Sequence, residues 1–259
     1  MPTPILYTPK PGAKWADFGS GGHPAAWYAS LVTAGYEGVI VDTYSAQATD
    51  VQGALTAGLG VMAFQGFDPQ AWADPALAVS RAQQAVTFSQ AVEYPKGATV
   101  WLDFESCATS YTEAAAWINA WAQTVRASGY WPGLYVGAPE PLSGLQLYGL
   151  LTGMLHYWES ESTVPMVAHR GYQIIQEQGN VLVNGILIDI DRIQMDDLGG
   201  LPHGMILPAP TSPPQHPVAP ARGPSDTTTL LKAQIADLEA QNKSLQSVLA
   251  AIQRDLKGV

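Results

Sequence analysis

The sequence predicts an α/β chain: a (β/α)8 TIM-like barrel, irregular in its last third, then a proline-rich linker and a C-terminal coiled-coil helix. Three observations predict it. Eight short apolar runs alternate with helical stretches, the pattern of parallel strands joined by helical crossovers. Glycines stand where several of the helical stretches stop. Beyond residue 206 the composition changes abruptly, first to proline and then to helix formers without glycine or proline.

The apolar runs are Trp15–Phe18, Gly38–Val41, Gly60–Phe64, Ala98–Leu102, Gly133–Val136, Met154–Trp158, Tyr172–Ile175 and Ile186–Ile190. The helical stretches are Pro24–Ala34, Thr49–Ala57, Pro75–Val92, Thr112–Ser128 and Leu142–Leu151. Gly35, Gly58 and Gly129 terminate the first, second and fourth of these, Thr112 is an N-cap candidate, and Asp74-Pro75 reads as a cap followed by an N1 proline. Between Trp158 and Tyr172 no helix is visible, and the last two runs can form a hairpin across Gly179-Asn180. Eight strands favour closure into a barrel over an open doubly wound sheet. The domain boundaries that follow are 1–206 for the barrel, 207–226 for the linker and 227–259 for the coiled-coil segment. The linker composition suits an extended, semi-rigid polyproline conformation.

The chain of 259 residues is 47% hydrophobic and 13% charged, enough for one sizeable core, and its net charge of -10 disfavours nucleic acid and anionic membranes as partners. A single cysteine, Cys107, excludes a disulfide framework within one chain. No apolar run approaches the ~20 residues of a membrane span. The first residues, Met-Pro-Thr-Pro-Ile-Leu-Tyr, lack the charged and apolar regions of a secretory signal, so synthesis in the cytoplasm without a signal peptide is expected.

The chemistry centres on Val100-Trp101-Leu102-Asp103-Phe104-Glu105-Ser106. Strand side chains alternate faces, so Asp103 and Glu105 point the same way. Two neighbouring acids at the end of an apolar strand raise one another's pKa, which keeps one carboxyl protonated for general-acid work. The structural alternative is a capped turn in which Glu105 or Ser106 closes the strand. Other strand ends weigh against that alternative: Asp17, Asp42, Tyr44, Gln65, Asp68, Tyr135, Glu159, Glu161, Gln176, Gln178, Asp189 and Asp191 all fall where barrel chemistry sits. Trp15, Tyr44, Phe67, Trp72, Tyr135, Tyr157 and Trp158 lie near the same ends. An acidic, aromatic, amide-rich mouth suits a polysaccharide, whose rings stack on aromatics and whose hydroxyls bond Asp and Gln. A Gly-rich phosphate loop is absent.

Asp17 on the first strand, Asp103-Phe104-Glu105 on the fourth, Tyr135 on the fifth and Asp189-Ile190-Asp191 on the last together resemble the glycoside hydrolase family 25 lysozymes. The order is more similar still to the related glycoside hydrolase-like domains of actinobacterial and phage proteins. The resemblance spans roughly residues 12 to 200. It implies Glu105 as general acid, Asp103 as its nucleophile-like or electrostatic partner, and Asp17 and Asp189 as further catalytic carboxylates. Tyr135, Gln176, Asp191, Tyr44 and Trp158 are the expected substrate-binding residues. Such a site needs no cofactor and no metal.

Competing motifs are weaker. Ala168-His169-Arg170-Gly171 resembles the His-Arg-Gly of glycerophosphodiester phosphodiesterases but lies late in the chain. The five histidines show no metal-ligand spacing, Cys107 has no evident histidine partner, and Gly-x-Ser-x-Gly is absent. In the tail, Leu231, Leu238, Leu245 and Ile252 occupy d positions of a heptad whose a positions are Ile235, Asn242, Leu249 and Leu256. Self-association through residues 228–256, as dimer or trimer, is expected, and a single a-position Asn sets register. One amphipathic helix packed back on the barrel is the alternative. Two functional readings follow: a cell-wall glycan hydrolase, and a non-catalytic structural or tail adhesin protein of a phage or phage-like particle. Combined, they describe a virion-associated glycoside hydrolase-like protein, present in the virion or released at lysis, with cell-wall glycan and other virion proteins as partners.

Overall fold

The structure, a computed structural model, describes residues 2–66, 74, 76–106 and 109–208. The linker and heptad expectations, and Phe67, Asp68, Trp72, Pro75 and Cys107, lie outside the described residues.

Strands β1 (Ile5–Tyr7) and β2 (Lys14–Phe18) are followed by α1 (Ala25–Thr33), β3 (Gly38–Asp42), α2 (Ala48–Ala57) and β4 (Gly60–Gln65). Then come α3 (Leu77–Ala91), β5 (Thr99–Phe104), α4 (Tyr111–Ala127), β6 (Trp131–Val136) and α5 (Gly144–Leu150). The last strands are β7 (His156–Glu159), β8 (Ile174–Val183), β9 (Ile186–Ile193) and β10 (Gly204–Ile206). Strands β2 to β8 pair in parallel in sequence order, and β9 closes the ring antiparallel to both β8 and β2. The eight-stranded barrel is therefore closed, with its irregularity in the last third as expected. Among the described residues no helix is long and apolar enough to cross a membrane.

Large side chains fill the barrel interior. Trp15, Trp101 and Trp158 are buried there with Ile40, Met62 and Ile174. This packing explains two of the strand glycines, one opening β3 and one inside β6. A Cβ at Gly38 would lie 2.4 Å from the Trp15 ring, and one at Gly133 would lie 2.4 Å from Trp101. A second apolar layer lies between the sheet and the helices and includes Leu31, Leu55, Trp117, Ile118, Trp121 and Tyr157.

Two local expectations are corrected and two short strands are added. The fourth helical stretch is capped by Ser110, not Thr112: Ser110 Oγ accepts from the Glu113 amide at 3.3 Å and Glu113 Oε2 accepts from the Ser110 amide at 3.2 Å. Only this frame places a glutamate three residues after the cap, the reciprocal arrangement of a capping box. The hairpin turns at Asn184-Gly185, where both residues have positive φ (48° and 85°), not at Gly179-Asn180. Asn-Gly suits a two-residue turn of that geometry. The Gly179-Asn180 pair lies instead where the β8–β9 register shifts. Strands β1 and β10, absent from the sequence reading, pair with each other, and Met205 of β10 pairs with Val61 of β4.

Candidate functional site

The C-terminal ends of the parallel strands surround an open cleft of about 590 Å³. Eight of the nine expected site residues line it: Asp17 from β2, Tyr44 after β3, Asp103 and Glu105 at the end of β5, Tyr135 from β6, Trp158 from β7, Gln176 from β8 and Asp189 from β9. Among the described residues, no Lys, Arg or His lines it.

Asp191 is the exception. Because β9 runs antiparallel, Asp189 sits level with Asp17 while Asp191 lies two residues deeper, level with Trp15. Asp191 is 0% exposed and accepts a hydrogen bond from Trp158 Nε1 at 2.9 Å. It supports the cleft from below rather than lining it.

A chain of hydrogen bonds fixes one wall. Tyr135 Oη donates to Gln176 Oε1 at 2.8 Å, and Gln176 Nε2 donates to Asp189 Oδ2 at 2.7 Å. The Asn180 amide reaches Asp189 Oδ1 at 2.6 Å, so the β8 irregularity aims a backbone donor at a cleft carboxylate. On the opposite wall Trp121 Nε1 donates to Gln65 Oε1 at 2.6 Å, and Gln65 Nε2 donates to Tyr44 Oη at 2.8 Å. Tyr44 keeps 43% of its surface exposed. Trp158 packs edge-on against Tyr135 with ring centroids 4.8 Å apart, giving the cleft an aromatic floor.

The electrostatics follow from acids gathered without lining cations. Burial, and next the Asp189 carboxylate, pushes Glu105 above the ordinary glutamate range. Burial also raises Asp189, and Glu161 adds to the rise, although the Asn180 amide and the Gln176 side chain oppose it. Burial, then Glu105, Asp103 and Asp17, raises the Tyr135 hydroxyl. Glu105 is thus a half-buried carboxyl that holds its proton unusually long and faces an open cleft, the condition for a general acid.

At the sequence level Asp42 stands at a strand end without an assigned role in the site, and three other contributors were missed. Asp42 lines the cleft, and its Oδ1 accepts from the Tyr44 and Gly66 amides, both at 3.0 Å, shaping the loops after β3 and β4. Gly137 leaves room for Glu105, because a Cβ there would lie 2.3 Å from Glu105 Cβ. Asn180 supplies the amide on Asp189, and Gly66 lines the wall. Asp42 ends an apolar strand and was visible as such; the others act through backbone positions that no side-chain pattern marks.

Other expectations fall away from the cleft. Trp15 is buried inside the barrel, and Tyr157 faces the helix layer, donating to the Leu147 carbonyl at 2.7 Å. Glu161 is spent on the Gly179 amide at 2.7 Å. In the His-Arg-Gly stretch, His169 packs against Tyr148 and Arg170 pairs with Asp196 at 2.7 Å, which is a structural role.

Two solved structures share this fold. The Mycobacterium tuberculosis Tat-secreted protein Rv2525c, crystallised with L-tartrate, matches with a TM-score of 0.55 at 14% identity, over 70% of this chain and 95% of its own. An uncharacterized B. stearothermophilus protein matches with a TM-score of 0.55 at 16% identity, over 70% of this chain and 96% of its own. No curated protein sequence matches the chain. The family model for the Rv2525c-like, glycoside hydrolase-like domain covers residues 23–192, well over half of the chain and nearly all of the barrel that carries the cleft, and the chain belongs to that family.

Proposed function

We propose that the cleft binds a cell-wall glycan and hydrolyses it, with Glu105 as the general acid. The observation that carries this reading is the position of Glu105: half-buried, raised in pKa by burial and Asp189, and facing an aromatic floor of Trp158 and Tyr135. Glu105 would protonate the glycosidic oxygen, and Asp103 or Asp189 would support the oxocarbenium-like centre. Tyr44, Tyr135 and Gln176 would orient the sugar through stacking and hydroxyl contacts. Membership of a glycoside hydrolase-like family supports the substrate class; by itself a fold does not establish turnover.

The deciding experiment measures reducing ends released from purified actinobacterial cell walls, with wild type beside Glu105→Gln. Release by the wild type, reduced on the order of 10²- to 10⁴-fold in the variant while wall binding persists, is the expected result. Wall binding without release by either protein overturns hydrolysis and leaves a glycan adhesin.

The proposal extends to assembly. The heptad over 228–256 would gather several glycan-engaging heads on a phage or phage-like particle, and multivalency would raise avidity for the cell surface. Sedimentation equilibrium of the full chain tests this, since a monomer at micromolar concentration removes the avidity argument.

A further inference from the structure

Beneath the cleft lies a feature that hydrolysis by Glu105 does not require. Asp17 on β2 and Asp191 on β9 are diagonal neighbours on the inner face of an antiparallel pair, each among the groups that act on the other's carboxyl. Asp17 is 7% exposed and Asp191 0%. The Oδ2 of each is buried with no hydrogen-bond donor among the described residues. Two carboxylate oxygens cannot bond each other without a proton between them, and two ionised carboxylates in contact inside a protein repel strongly.

The surroundings do not relieve that repulsion. Asp17 faces Asp191 and Asp189 on β9, Glu105 just after β5 and Tyr135 on β6. Asp191 faces Asp17 on β2, Asp189 on its own strand, Glu177 on β8 and the Trp158 indole on β7. The groups acting most strongly on either carboxyl include no cation. Burial raises both well above the ordinary aspartate range, with the other acid of the pair next for Asp17. The position of the proton also follows. Asp191 already accepts from Trp158 Nε1 at 2.9 Å, so it is the better home for the negative charge, and Asp17 is the acid that donates.

We propose that Asp17 and Asp191 hold one proton between them at neutral pH, so that Asp17 meets the ligand as a neutral carboxylic acid, and that Asp191 is a positioning residue that retains this proton and orients Trp158. Asp17 is then neither nucleophile nor base, and the ionised partners of Glu105 are narrowed to Asp103 and Asp189. That consequence for turnover rests on the reading proposed above; the shared proton does not.

The test is carbon-13 NMR of the full chain labelled at aspartate Cγ, titrated through neutral pH and followed together with the Trp158 indole N–H resonance. One aspartate should remain in its protonated position at neutral pH. It should be lost in both Asp17→Asn and Asp191→Asn and kept in Asp189→Asn, and in the wild type the Trp158 indole signal should move with its titration. If one variant does not fold, the wild-type spectrum still decides whether the proton exists and the other variant assigns it. Wild-type aspartates that are all ionised at neutral pH overturn the proposal, as does a protonated resonance that survives Asp17→Asn or Asp191→Asn. A Trp158 signal indifferent to that titration overturns the positioning role. Cell walls left uncut by a protein that shows the resonance would defeat the hydrolase reading and leave the shared proton standing.

Discussion

The two ends of this barrel both bury polar side chains, and they balance charge in opposite ways. At the foot, Asp196 Oδ2 accepts from Arg170 Nη1 and Gln173 Nε2, each at 2.7 Å, while its Oδ1 accepts from the Gly200 amide at 2.6 Å and the Leu198 amide at 3.0 Å. Gln173 Oε1 in turn takes the His156 Nδ1 contact at 2.7 Å. The buried anion has its cation, and its oxygens have donors. At the mouth, Asp17, Asp103, Glu105 and Asp189 face one cleft with no cation among its described lining residues. Balanced charge with satisfied hydrogen bonds is how a fold keeps polar groups inside. Like charges left to share protons and open to solvent destabilise the fold and are retained where chemistry uses them.

Breaking the balance at the foot should therefore be costly. Arg170→Met leaves Asp196 buried without its cation, a type of change that costs about 3–5 kcal/mol. The lower end is expected, because Gln173 and two amides still bond the carboxylate. Urea unfolding should show the loss as a lower midpoint, while glycan binding by the folded fraction stays unchanged. A variant as stable as wild type would erase the distinction between the two ends.

The loop after β6 offers the converse case. Glu140 accepts from the Leu142 amide at 2.8 Å but keeps Oε2 buried without a hydrogen-bond partner among the described residues, and burial pushes its pKa up to about 8. An acid raised in the folded state binds its proton there more tightly than in the unfolded chain. Stability therefore falls as pH rises from the unfolded value near 4.5 toward 8 and levels off above. Glu140→Gln keeps an acceptor for Leu142 and removes that loss. It should match wild type near pH 4 and exceed it above pH 8 by up to about 5 kcal/mol, as read from unfolding free energies across pH.

His156 at the foot has the opposite sign. Burial lowers its pKa to about 4 from 6.5, so the folded state holds it neutral where the unfolded chain would protonate it. Its contribution is full above pH 6.5 and is lost as pH falls toward 4. His156→Asn retains a donor for Gln173 without a titrating ring. The stability difference between wild type and variant should shrink by about 3 kcal/mol across that window. A difference that is flat with pH would show that His156 titrates as in the unfolded chain.

The mouth was more legible in the sequence than the foot, for physical reasons. Apolar runs ending in Asp, Tyr or Gln mark parallel strands and the end at which barrel chemistry gathers, and eight of nine expected residues reached the cleft. Strand direction is invisible to a period of two, because alternation reads the same both ways. The antiparallel course of β9 therefore carried Asp191 inward instead of to the rim. The same blindness to facing misplaced Trp15 and Tyr157, which are aromatic and near strand ends but turned into the barrel and toward the helices. The foot network joins Leu155, Arg170, Gln173 and Asp196 through contacts that no local spacing announces. Strands β1 and β10 have three residues each, too few for a pattern.

The smallest expected effect lies in the turn that sets the register of β9. Asn184 has φ of 48° and its Nδ2 donates to Ser30 Oγ at 2.7 Å, while Gly185 follows at φ 85°. Asparagine tolerates this left-handed backbone, whereas alanine there costs roughly 1–2 kcal/mol. Asn184→Ala should lower stability by about 1 kcal/mol, and Asn184→Gly, which restores the backbone freedom but not the Ser30 contact, should recover most of it. The turn pairs Val183 with Ile186, and that register brings Asp189 level with Asp17 at the cleft. Loss of glycan binding in Asn184→Ala without loss in Asn184→Gly would mean that backbone strain at the turn reaches the acids. Equal binding in both would mean that Gln176 and the Asn180 amide hold Asp189 without help from the turn.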